Sequence, residues 1–148
     1  MKTPTHYSAV YLFFVRDAQL LLIRRFNTGF EDGNYSVVAG HVESGESATA
    51  AAVREAREEV GVEIAPHDLE FVHVQHRKST PVHEYCDYYF FVRHWLGEPH
   101  NCEPHKCDDI FWVSPKQLPP NTVPFVRQVI EAVFESSSSY SEYGFVVT

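Results

Sequence analysis

The chain has 148 residues, a length at which folding buries roughly two thirds of the unfolded surface without help from a disulfide or structural metal. With 44% hydrophobic and 14% aromatic residues it is neither disordered nor collagen-like. Its 12 Lys and Arg against 20 Asp and Glu leave a net charge of −8, the wrong balance for gripping a nucleic-acid polymer by its phosphates.

Three cysteines, Cys86, Cys102 and Cys107, are an odd set that fits a reducing compartment. The longest apolar run, Ala9 to Val15, is too short to span a bilayer, and Met1-Lys2-Thr3-Pro4 leads into no signal-peptide core. A cytoplasmic protein with no membrane partner is expected.

In chain order, His6 to Val15 and Leu20 to Ile23 read as two strands joined by a tight turn at Asp17-Ala18-Gln19. A loop from Asn27 to Asn34 precedes a third strand at Tyr35 to Ala39. The period then changes. Ala48, Ala51, Ala52, Ala56 and Val60 form one helical stripe, Ser47 is placed to cap its start, and Gly61 stands where a left-handed cap would end it. Leu69 to Gln75, Tyr85 to Trp95 and Ile110 to Val113 read as strands separated by polar stretches at His76 to His83 and Gly97 to Asp109. A second helix starts near Asn121-Thr122 and Pro124, with Phe125, Val126, Val129, Ile130, Val133 and Phe134 on one face. This order predicts an α/β fold, a mixed sheet with helices on its two faces. One domain over residues 1–135 is followed by a tail, 136–148, whose aromatic and β-branched end packs either on its own domain or on a neighbouring copy.

Glu55, Glu58 and Glu59 are spaced i, i+3, i+4, so a helix brings their carboxylates to one side. Like charges at those spacings repel unless a cation sits among them, and clustered hard oxygens suit Mg²⁺ or Mn²⁺. Arg54, four residues before Glu58, can hold it by a forked hydrogen bond. Glu46 stands at the positive end of the helix dipole, and Gly40 where a strand gives way to a loop, inviting close backbone approach. The bland alternative is a solvated helix whose glutamates pair with Arg54 and Arg57.

Gly40, five residues, Glu46, seven residues, then Arg54-Glu55-Ala56-Arg57-Glu58-Glu59-Val60-Gly61-Val62 resembles the Nudix box, GX₅EX₇REUXEEXGU with U aliphatic, at every fixed position. Such a match arises by chance about once in 10⁸ placements or more rarely. The resemblance implies the family's α/β/α sandwich and divalent-metal-assisted attack of water on a nucleoside diphosphate linked to another group. It implies metal ligation by Glu55, Glu58, Glu59 and the Gly40 carbonyl, with Glu46 as a supporting carboxylate and Glu103 as a further one. A glutamate or an outer-sphere carboxylate would take the proton from water, with Glu55 as ligand, Glu58 as ligand or base and Arg54 beside them, and a homodimer is expected on family grounds and because of the tail. The chain departs from the common pattern at Val37-Val38-Ala39-Gly40-His41, where many relatives have Leu-Pro-Gly-Gly, and at Ala56 within the box.

Family members often carry basic residues that reach phosphates where Arg24 and Arg25 close the second strand, and strand alternation lets one of the two face the site, Arg25 being favoured. Arg77 and Lys78, after Gln75, are similar candidates. Phe30, Tyr35, Tyr88 and Trp95 are candidates to stack a base, Tyr35 first, against the usual core role of strand aromatics. His94, His100, Cys102, His105 and Cys107 offer zinc-type ligands, but Cys-x₄-Cys falls outside the common tetrahedral spacings. No SQPWPFP-type sequence follows the box, which argues against an NADH-specific hydrolase. The first expectation is a MutT-like enzyme splitting a (d)NTP into NMP and pyrophosphate. ADP-ribose or nucleotide-sugar pyrophosphatase is the alternative, and a nucleotide-binding sensor without turnover is the reading of another class.

Overall fold

The computed structural model describes residues 2–146; Val147 and Thr148 of the expected tail lie outside them, as does Met1. Strand β1 (Thr5–Arg16) is buried on both faces over its middle, with Val10, Leu12 and Phe14 turned one way and Ala9, Tyr11 and Phe13 the other. A strand that is apolar at every position needs cover on two sides. Asp17 and Ala18 supply the tight turn with φ of 53° and 61°, the positive pair a two-residue hairpin requires, and β2 (Gln19–Arg25) follows.

The stretch expected as one strand over 35–39 is two. Strand β3 (Tyr35–Ser36) pairs with β2, and β4 (Val38–His41) pairs with β1, the chain crossing between them at buried Val37. Because β1 meets β2 only around Val15↔Leu20 and Arg16↔Gln19, the two strands part beyond the hairpin. β1 continues beside β4, and β2 beside β7 (Cys107–Val113). That parting opens the cleft described below.

Helix α1 (Ala48–Val60) begins as its sequence predicts, with the Ser47 hydroxyl accepting from the Ala50 N–H at 3.1 Å, and ends on Gly61 at φ 71°. Ala51, Ala52, Ala56 and Val60 press onto the Val10, Leu12, Phe14 face of β1. Helix α2 (Pro124–Ser136) covers the opposite face through Phe125, Val126, Val129, Ile130 and Val133. The mixed sheet between two helices is therefore as expected. The start of α2 carries no side-chain cap; Asn121 and Thr122 instead donate to the carbonyls of Gly33 and Pro119.

One further expectation is corrected, and the placing of the tail is resolved. The polar stretch 76–83 is not a loop, because β5 (Leu69–Thr80) and β6 (His83–Val92) run on as one long hairpin. Cross-strand pairs such as His76 with Glu84 and Arg77 with Asp87 satisfy its polar side chains. Residues 137–139 turn the chain back, and β8 (Tyr140–Tyr143) adds to β5 in parallel, so the tail packs on its own domain. Buried His73 fastens it, its two ring nitrogens 2.7 Å from the Ser138 carbonyl and the Ser141 hydroxyl. The sheet order is β3-β2-β1-β6-β5-β8, with β4 on β1 and β7 on β2. Among the described residues no helix is long and apolar enough to cross a membrane.

The alanine face lets α1 lie close on the sheet, and Ala52 is fully buried. Ala52→Leu should overpack this contact and destabilise the fold by about 1–3 kcal/mol, read as a lower urea midpoint with an unchanged slope.

Candidate active site

Where the sheet parts, a cleft of about 820 Å³ opens between β1 and β4 on one side and β2 and β7 on the other, with α1 along its wall. Glu55, Glu58 and Glu59 of α1 all line it, as does Glu103 from the loop before β7. Gly40 on β4 packs so tightly here that a Cβ on it would fall on the Glu55 carboxyl group. This close approach is what the position demands of glycine.

Glu59 is anchored by the Ala39 N–H, which donates to its Oε2 at 3.0 Å. Burial, and then the neighbouring Glu55, push its carboxyl well above the ordinary carboxylate range. Burial also raises Glu55, opposed by Arg54 and reinforced by Glu58 and Glu103. Arg54 is the hub of the wall. Its fork grips Glu46 at 2.7 and 2.9 Å rather than Glu58, which receives a single Nη1 contact at 3.1 Å. Nη1 also donates to Glu55 at 2.8 Å, and Nη2 to the His41 carbonyl at 3.0 Å. Held by Arg54 and by the Glu43 N–H, the Glu46 carboxyl is lowered to about 2. Among the described residues no three His, Cys, Asp or Glu side chains stand in chelating geometry, and Arg54 donates to both Glu55 and Glu58.

The substrate-side candidates divide. Arg25 lines the cleft, with its Nε donating to the Phe30 carbonyl at 2.6 Å and Phe30 on the rim. Alternation sends Arg24 the other way, onto Asp108 at 2.7 Å. Tyr35 is likewise outside the cleft, its hydroxyl donating to Asp109 and its ring edge-on to Phe111. Arg24 and Tyr35 are therefore not brought to the site. Tyr88 and Trp95 pack against the core on the α1 side, and Lys78 is not part of the lining. Arg77 is brought in, from a strand rather than a loop, and is almost fully buried. His41, Tyr85 and Lys106 line the cleft without having been singled out, since nothing local in the sequence marks them.

The histidine and cysteine loop is dispersed. Cys102 Sγ lies 3.2 Å from His100 Nε2, Cys107 is buried with its thiol donating to the Asp109 carbonyl, and His94 and His105 are exposed.

A family model described as NUDIX domain matches residues 5–133. The chain belongs to that family. It is 38% identical over 107 residues, 71% of its length, to a protein of Pseudomonas aeruginosa named NAD-capped RNA hydrolase NudC, and the match spans 35% of that relative. Among solved structures it resembles a MutT NUDIX hydrolase from Burkholderia pseudomallei, with TM-score 0.79 and 23% identity over 87% of this chain and 98% of that one. It also resembles a MutT protein from Methanosarcina mazei, with TM-score 0.75 and 16% identity over 88% and 94% of the two chains.

The crowded acids of this Nudix domain set its pH response. A carboxyl raised in the fold removes stability as pH climbs from the ordinary value of 4.5 through the raised one, so Glu55 and Glu59 weigh against the fold at neutral pH. Glu46 acts oppositely, contributing above pH 4.5 and losing its contribution as pH falls through about 2. Glu59→Gln should therefore raise the thermal midpoint by about 3 °C or more at pH 8 in chelator, and by less at pH 5, in a calorimetric scan.

Proposed function

We propose that this chain is a divalent-cation-dependent pyrophosphohydrolase acting on a nucleoside diphosphate linked to a further group, first of all a nucleoside triphosphate cleaved to monophosphate and pyrophosphate. The observation that carries the reading is the convergence of Glu55, Glu59 and Glu103 with Gly40 in one cleft that Arg25, Arg77 and Lys106 also line. A purely structural helix would not crowd the half-buried Glu55 and Glu59 against each other.

The donor set fits Mg²⁺ or Mn²⁺ by its chemistry, being hard carboxylate oxygens that repel one another and so gain from a shared cation. Glu55, Glu58, Glu59 and the Gly40 carbonyl would hold such an ion, with Glu103 in reach of the same wall. When bound it would lower the pKa of water and offset phosphate charge. Glu59, held by the Ala39 N–H, would supply a fixed carboxyl oxygen. Glu58, half-exposed, is the acid best placed to accept the proton of an attacking water. Arg54 orients Glu55 and Glu58, and Glu46 in turn orients Arg54. Arg25 and Lys106 supply local positive charge for phosphates in a chain whose net charge is −8.

A dinucleotide carrying the same linkage is the second reading, favoured by the 38% identity with a relative named for NAD-capped RNA. A panel of nucleoside triphosphates, ADP-ribose, nucleotide sugars and NAD, incubated with Mg²⁺ or Mn²⁺ and resolved by chromatography, separates the two by which substrate has the highest kcat/KM. Glu58→Gln should lower kcat by about 10²- to 10⁴-fold while keeping the thermal midpoint. Turnover of none of these compounds, with nucleotide still binding, would establish the sensor reading instead.

A further inference from the structure

Arg77 is more elaborately held than a phosphate-binding arginine needs to be. Its side chain is 6% exposed, its Nε donates to Asp87 at 2.7 Å, and Nη2 lies 3.4 Å from the second Asp87 oxygen and 3.5 Å from the Tyr11 hydroxyl. The guanidinium plane is clamped between the rings of Tyr85 and Phe125, each centroid 4.1 Å from Cζ. Among the described residues Nη1 has no hydrogen-bond partner, yet it is not sealed in, and Arg77 is part of the cleft lining. Nη1 thus carries two N–H donors open to a partner, on a group with no freedom to turn away. Asp87, wholly buried behind it, cancels its charge, which leaves little attraction for an anion but a strong directional donor. Arg77 shares the lining of this cleft with Glu55 and Glu59. Phe30, exposed on the rim and 6.4 Å from Phe125 between centroids, offers a stacking face beside it.

We propose that Arg77 is a specificity residue whose Nη1 donates to a neutral acceptor on the substrate's base, a carbonyl oxygen or ring nitrogen, and does not bind phosphate. The inference rests on the nucleotide-hydrolase reading only in taking this cleft as the nucleotide site. A site built to donate to an acceptor rejects an analogue lacking it, because the donors are then left unpaired.

The test is calorimetric titration in the absence of turnover, with the 5′-monophosphates of guanosine, adenosine, uridine and cytidine. A phenyl C-ribonucleotide, which stacks but accepts nothing, and pyrophosphate complete the set. The best natural base should bind the wild-type protein about tenfold or more tightly than the phenyl analogue. Arg77→Lys, which keeps a cation for Asp87, should bring that ratio near one and leave pyrophosphate affinity unchanged. Equal binding of the phenyl analogue by wild-type protein overturns the proposal with no variant required, as does a parallel loss of pyrophosphate affinity in Arg77→Lys. A base-dependent ratio in a protein that hydrolyses nothing would leave this inference standing while the catalytic reading fell.

Discussion

Two carboxyl groups one turn apart on α1, those of Glu55 and Glu59, are half-buried beside each other in the cleft, and the architecture around it is arranged to permit this. Unrelieved, such a pair would turn the helix outward or take up a proton. Three features oppose that outcome: the Ala39 N–H on Glu59, Arg54 on Glu55, and the missing side chain at Gly40. Each depends on β4 lying against β1 at a fixed register with α1 pressed on it. The acids therefore do not decorate a scaffold; their positions are bound to its packing.

That packing in turn depends on alanine. Ala51, Ala52 and Ala56 bring the helix backbone close enough for side chains of ordinary length to reach across to Ala39, Gly40 and His41. A helix faced with leucine would stand further off, and the Arg54 contact to the His41 carbonyl would open. Stability and site geometry are in this respect one requirement on the same small residues.

Much of this was legible locally. The caps at Ser47 and Gly61, the alanine stripe and the acidic spacing lie within one helix, where sequence separation is short and the period is fixed. That only one of Arg24 and Arg25 can face the cleft follows from strand alternation. What escaped were features made by distant pairing. The split into β3 and β4 depends on two different partner strands, and the polar run from His76 to His83 became strand because each side finds its counterpart on the other. Arg77 and Asp87 are ten residues apart on opposite arms of that hairpin, and neither announces that it will be buried beside the other. Tyr35, expected to stack a base, instead has Phe111 and Asp109 as its partners.

Strand β8 pairs in parallel with β5 at the rim of the sheet, after all the other strands have been laid down in chain order. During synthesis the outer backbone groups of β5 must wait for it, through the emergence of β6, β7 and α2, with their donors and acceptors open to any extended segment nearby. Closure then comes from a short segment behind a run of serines, docked on a sequestered imidazole. The nascent domain is consequently most exposed to edge-to-edge association just before β8 emerges.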